Sequence, residues 1–208
     1  MKPIFLKNRI LYFAFCIALL GQISTAQIFI GPSAGVNWGI FKVENQSEGV
    51  SNSSRIGVAI GVIADFPLDK IFSIRVEPSY IQKGTEITAQ PTINKFHFGY
   101  LQVPIEAKVS IPTSIVNVHI IVGPNIGYLL SAKFQSTDFA QELDIKDGYK
   151  NYDFALDAGV GLDYPVSPMV KAGIDIKYSL GLVNIDKGTA GAINTRGFQL
   201  MAGILFAI

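Results

Sequence analysis

The sequence predicts an all-β chain, an eight-stranded antiparallel up-and-down transmembrane β-barrel. Three observations carry that fold class. Apolar residues recur at every second position in eight separate segments, the period of a strand with two unlike faces. The connections between segments alternate between long polar stretches and tight turns. No sustained apolar spacing at i, i+3, i+4 competes with the period of two.

Before the first segment lies a leader. Lys2, Lys7 and Arg9 precede the apolar run Ile10 to Leu20, and Ser24 and Ala26 are the small residues before a cleavage point at Gln27. Such a run is shorter than the ~20 residues of a membrane-spanning helix, so residues 1–26 are expected to be a secretory signal peptide and 27–208 the barrel domain. Cys16, the one cysteine, falls inside the leader. The remaining chain is therefore expected to hold together without disulfides. Loss of three basic residues leaves 14 basic against 16 acidic, a net charge of −2, which argues against a nucleic-acid partner.

The strands follow in order. Ile28, Ile30, Pro32, Ala34, Val36, Trp38 and Ile40 share one face of the first, and Ile56, Val58, Ile60, Val62, Ala64 and Phe66 one face of the second. Phe72 to Tyr80, Leu101 to Val109, Val116 to Leu130, Tyr152 to Tyr164, Val170 to Leu180 and Phe198 to Ile208 supply the other six. Residues 42–54, 84–95, 135–150 and 183–194 read as long loops, whereas "PLDK", "PTS" and "PVSP" read as tight turns. A meander of antiparallel strands then gathers the long loops at one rim and the tight turns, with both termini, at the other.

The opposite faces decide what surrounds the barrel. They are built of glycine, alanine, serine and asparagine with scattered charges, too little polarity to clothe an exterior in water. A soluble ligand-carrying barrel needs the reverse arrangement. The apolar faces are therefore expected to meet lipid and the sparse faces to line a narrow lumen. Trp38, Tyr80, Phe98, Tyr128, Phe154 and Tyr178 gather toward the long-loop rim, and Phe29, Phe66, Phe72, Tyr164 and Phe206 toward the other, as two interfacial girdles. Only closure removes unpaired strand edges in hydrocarbon. Eight strands enclose just enough room for their own side chains, so no open pore is expected.

Four stretches, "YLQVPIEAKV", "GPNIGYLLSAK", "DFALDAGVGLDY" and "IKYSLGLVNI", resemble the outer-membrane β-barrel proteins of the PorT-like family of Bacteroidota. The resemblance implies a barrel in the bacterial outer membrane, with both termini periplasmic, and implies no established activity for most members. Gly203, Phe206 and Ile208 in the closing "GILFAI" resemble the C-terminal signal by which such barrels meet their insertion machinery.

For chemistry, Arg55, Asp65, Arg75, Glu77, Glu106, Lys108, Asp153, Asp157, Asp163, Lys171, Asp175 and Lys177 fall on the inward parity. Charges of both signs in a narrow lumen must pair or be hydrated, so these are expected to form a structural polar network. His119 falls on the same parity and His97 lies near the long-loop rim. A Ser-His-carboxylate site requires a serine within reach of the histidine, and "KFHFGY" around His97 supplies none. No catalytic residue, cofactor or metal site is expected. The expected function is a structural or binding role through the outer loops, accessory to an envelope or secretion complex. Outer-membrane lipid, the barrel insertion machinery and an envelope protein are the expected partners. The alternative is a lipid-modifying enzyme with a rim site near His97.

Overall fold

The computed structural model describes residues 27–43, 51–89, 91–138, 141–188 and 191–208; the leader expected at 1–26 lies outside them. Ten strands are present: β1 (Phe29–Val43), β2 (Ser51–Pro67), β3 (Phe72–Val76), β4 (Ser79–Ala89), β5 (Thr92–Pro112), β6 (Asn117–Ser136), β7 (Leu143–Asp144), β8 (Tyr152–Ser167), β9 (Val170–Gly181) and β10 (Ile193–Ala207). They form a ring of eight. β3 and β4 are two halves of one staggered strand, and β7 is a two-residue addition to the upper end of β6. The ring closes because β1 pairs with β10 from Phe29↔Ala207 to Val43↔Ile193 as well as with β2. Every pairing is antiparallel and neighbours follow chain order, so no bridging strand is needed.

The break between β3 and β4 falls at Glu77 and Pro78, where proline has no N–H to give to a ladder. The Pro78 carbonyl still accepts from Val62 N at 3.0 Å, and Glu77 N donates to Pro104 O at 3.3 Å, so the wall stays sealed. At the short-turn end, Asp69 Oδ1 accepts from the amides of Ile71 and Phe72 at 2.6 and 2.7 Å, a side chain substituting for the ladder as the chain reverses. Those two amides hold the Asp69 carboxyl below its usual pKa.

At the other end the structure departs from the loop assignment. The stretch 84–95 is not a long loop: β4 and β5 run on as a hairpin through Ala89↔Thr92. β5 and β6, at 21 and 20 residues, exceed the ~9–11 residues needed to cross a bilayer, so this hairpin continues beyond the apolar belt.

Alternation decides which surface meets lipid. In β8 the odd-numbered Asp153, Asp157 and Asp163 are buried while Phe154, Leu156, Val160, Leu162 and Tyr164 lie on the outside. The same holds around the ring, and the outer surface is a continuous apolar band, the pattern of a barrel whose solvent is hydrocarbon. Two aromatic residues do not join the girdles. Phe98 is 1% exposed inside the barrel, and Phe29 sits in the short-turn mouth with Lys171 Nζ 4.4 Å from its ring centre.

Val160 lies near the middle of the band, between Ile120 and Ile176. Val160→Arg is expected to lower the stability of the folded barrel in lipid vesicles by about 2–4 kcal/mol, with Val160→Leu close to neutral, measured by urea titration. Inside the wall, a Cβ on Gly123 would meet the Ile105 carbonyl at 2.0 Å, whereas one on Gly148 would meet nothing within 4 Å. Gly123→Ala should therefore cost about 1–3 kcal/mol in the same titration and Gly148→Ala little.

Candidate functional site

The lumen is filled by side chains that reach across it from opposite walls. Nearest the short-turn end, β3 supplies Arg75, the centre of an ion cluster. Its Nε and Nη2 donate to the two oxygens of Asp65 on β2 at 2.6 and 3.1 Å, and its Nη1 donates to Asp175 on β9 at 2.7 Å. Asp65 also takes Lys108 from β5 at 2.9 Å and Lys171 from β9 at 2.6 Å. Lys108 bridges on to Asp163 of β8 at 2.5 Å, and His119 Nε2 of β6 meets Asp175 Oδ1 at 2.5 Å. Three cations thus balance three carboxylates, all buried except the partly open Lys171. Bidentate and bridging geometry is what repays the desolvation of so many charges.

The middle layer is richer in acids. Lys177 donates to Glu77 at 2.7 Å and lies 3.5 Å from Glu106, while Ser33 Oγ donates to the other Glu77 oxygen at 2.9 Å. Asp157 pairs with no cation among the described residues; it accepts from Asn125 at 2.8 Å and Ser179 at 2.6 Å. Asn125 continues to Gln102 at 3.2 Å and Gln102 to Gln199 at 3.4 Å. In the upper layer, Asp153 holds Lys83 at 3.0 Å and Thr195 at 2.8 Å.

Above the ions the long-loop mouth is closed by apolar residues. Phe41, Ile81, Phe98, Tyr100, Leu129 and Met201 from the walls meet Ile185 from the loop between β9 and β10. Phe98 packs edge-on against both Phe41 and Tyr149, each with ring centres 4.8 Å apart. The loops are pinned there: Lys150 N donates to Ile185 O at 2.7 Å and Ile185 N to Ile193 O at 2.9 Å. At the opposite mouth an opening of about 320 Å³ leads from Phe29, Pro67 and Phe72 to Asp65, Lys108 and Lys171.

Of the residues assigned to the lumen, Asp65, Arg75, Glu77, Glu106, Lys108, Asp153, Asp157, Asp163, Lys171, Asp175 and Lys177 lie inside. Arg55 does not. It lines a recess with Tyr80, Gln82, His97, Ser131, Lys133 and Glu142, outward residues of β4, β5 and β6 and the segment after them. The cause is a bulge: Ser54↔Thr85 is followed by Ala59↔Ile81, so β2 holds one residue more than β4. An extra residue puts two successive side chains on one side, here Arg55 with Ile56. A second bulge, Gly99↔Ser131 followed by Tyr100↔Leu129, turns Ser131 outward against its parity and brings Ala132 inside.

The period of two also marks Ser33, Gln102, Asn125, Ser179 and Gln199, which join the network without carrying charge. Lys83 stood beyond the expected end of its strand. Among the described residues no group of three or more His, Cys, Asp or Glu has the geometry of a metal site.

The comparisons agree with this architecture. A family model described as outer membrane protein beta-barrel domain matches residues 22–187. A search of the curated proteins found no match. Among solved structures, Neisserial surface protein A superposes with TM-score 0.56 at 13% identity, covering 88% of this chain and 98% of the other. OprG of Pseudomonas aeruginosa gives TM-score 0.53 at 13% identity over 90% and 98%. A major outer membrane protein of Thermus thermophilus gives 0.52 at 10% identity over 88% and 100%. Identities this low establish the shared fold.

Asp65 is the carboxylate on which three cations depend. Asp65→Asn is expected to destabilise the folded barrel by about 3–5 kcal/mol, because Arg75, Lys108 and Lys171 would be left short of countercharge. Adding Lys108→Met should restore part of that loss, so that the double variant is more stable than the sum of the single effects; urea titration in vesicles measures both.

Proposed function

Because the chain belongs to the family of outer-membrane β-barrel domains, we propose that it serves the bacterial outer membrane as a barrel without an open pore, with a structural or binding role carried by its long-loop end. The observation that carries the reading is the filling of the lumen. Arg75 to Asp175, Lys83 to Asp153 and Lys177 to Glu77 tie facing walls together, and the apolar lid over them leaves the loops as the surface presented to a partner. In this reading both termini face the periplasm, residues 1–26 are a cleaved signal peptide, and the partner is an envelope protein of an assembly or secretion complex. The PorT-like motifs support that placement.

A second reading, a lipid-modifying enzyme at the rim, draws on the recess in which His97, Ser131 and Glu142 meet. Against it, His97 Nε2 has no hydrogen-bond partner among the described residues, so it does not make the contact that activates a serine hydroxyl.

Purified protein in a planar bilayer is expected to show no steady ion conductance; a stable open-channel current would overturn the closed-barrel reading. In cells, a photo-crosslinker at Asp147 or Lys187 on the loops should capture a discrete envelope protein, and one at Lys70 on the opposite rim should not. Release of fatty acid from lipopolysaccharide, abolished by His97→Ala, would favour the enzyme instead.

A further inference from the structure

Four rungs of the β4–β5–β6 sheet step outward from the apolar belt. Tyr80, Leu101 and Tyr128 form the last apolar rung. The next holds Gln82, Gly99 and Ser131, then Gly84, His97 and Lys133, then Glu86, Lys95 and Gln135. At about 3.4 Å per residue along a tilted strand, the second and third rungs stand roughly 5–10 Å above the belt, in the headgroup layer. The polar recess lies there, on the wall facing lipid and outside the lumen.

Its construction is specific. Gly99 forms the floor. A Cβ on Gly99 would lie 2.7 Å from Ser131 Oγ and 2.9 Å from the Tyr80 hydroxyl, so two hydroxyls converge above a residue with no side chain. Beside it, a Cβ on Gly84 would meet the Phe96 carbonyl at 2.3 Å and then Arg55 Cδ at 3.3 Å. Both bulges are needed to bring Arg55 and Ser131 here. The space enclosed is about 240 Å³. His97 Nε2 is buried with no partner among the described residues, and a buried nitrogen without one is costly.

The charge balance favours an anion. No carboxylate of a described residue pairs with Arg55 within 4 Å, while Lys133 is 3.3 Å from Glu142 and Lys95 is 3.8 Å from Glu86. Those two pairs are exposed and weak. Of the cations lining the recess, Arg55 is thus the one with no carboxylate partner among the described residues. Below the recess, Val58, Leu101 and Leu130 provide an apolar surface for acyl chains.

We propose that this recess binds the phosphate of a membrane lipid headgroup in the leaflet at the long-loop end. Arg55 supplies the charge with Lys133 beside it, and Tyr80, Gln82 and Ser131 donate hydrogen bonds. The proposal is independent of any partner at the loops.

Native mass spectrometry of the protein in detergent micelles tests it, with bisphosphorylated lipid A and its fully dephosphorylated form as probes. The phosphorylated lipid should bind to one saturable site and the dephosphorylated lipid about tenfold more weakly or less, the equivalent of one charge-assisted hydrogen bond. Arg55→Gln should reduce binding by a similar factor, whereas Lys70→Gln at the opposite rim should leave it unchanged. Inorganic phosphate at millimolar concentration should not displace the lipid. Equal binding of the two lipids by the unaltered protein would overturn the proposal even if Arg55→Gln failed to fold, and so would displacement by inorganic phosphate alone. Full retention of binding in Arg55→Gln, with its heat-modifiable mobility on electrophoresis intact, would overturn it as well.

Discussion

In hydrocarbon a backbone N–H or C=O without a partner has nowhere to turn, and this constraint governs the rest of the molecule. Each strand needs a neighbour on both edges, so the first must find the last, and the β1–β10 ladder runs the whole length of both. Closing on eight strands fixes a lumen about as wide as its own side chains. What points inward is then packed whether it is apolar or charged, and the wall has no freedom to widen.

That confinement explains the interior. Lysines and arginines in so tight a space cannot be hydrated individually, so each is met by carboxylates from a different strand. The pairs cross between β3 and β9, β4 and β8, and β5 and β8, which makes the ion network a set of ties across the cylinder. Such ties add little net stability compared with a well-packed apolar core. They do add specificity: a register slip of one residue would turn a buried aspartate toward lipid and a valine toward the ions, and the whole network would come apart together. Ile63, Ile121 and Leu205 are buried in the short-turn half of the barrel beside the ions, and apolar packing takes over at the long-loop mouth, where Phe98 and Ile185 sit above the last ion pair.

The lipid-facing wall is less uniform than a simple alternation implies. Two bulges, one in β2 and one in β6, each add a residue and redirect a polar side chain. Both lie at the height where hydrocarbon gives way to headgroups, and both turn toward the same strip of β4 and β5. A bulge within the belt would have exposed such groups to acyl tails at high cost; at the interface they meet water and charge. The recess around His97 is therefore compatible with the bilayer that the rest of the wall requires.

Much of this was legible in the residues alone, because a period of two is a local property that survives without any knowledge of partners. The alternation in "DFALDAGVGLDY" already places Asp153, Asp157 and Asp163 on the face opposite Phe154, Leu156 and Tyr164, and eight such segments require closure. Strand ends were less visible: the polar residues of 84–95 read as a loop because, beyond the bilayer, a hairpin needs no apolar face. Arg55 was misplaced, and Ser131 stands against the parity of its strand, for a different reason. Parity counts residues along one strand, whereas a bulge is a mismatch between two, so only the paired structure reveals it. The sequence by itself determined the strands, their faces and the lipid as solvent, since each follows from short-range pattern and transfer energy. Which carboxylate meets which cation, and the gathering of Arg55, His97 and Ser131 on the outer wall, were decided by tertiary structure, because register, stagger and bulge are relations between strands that no single strand contains.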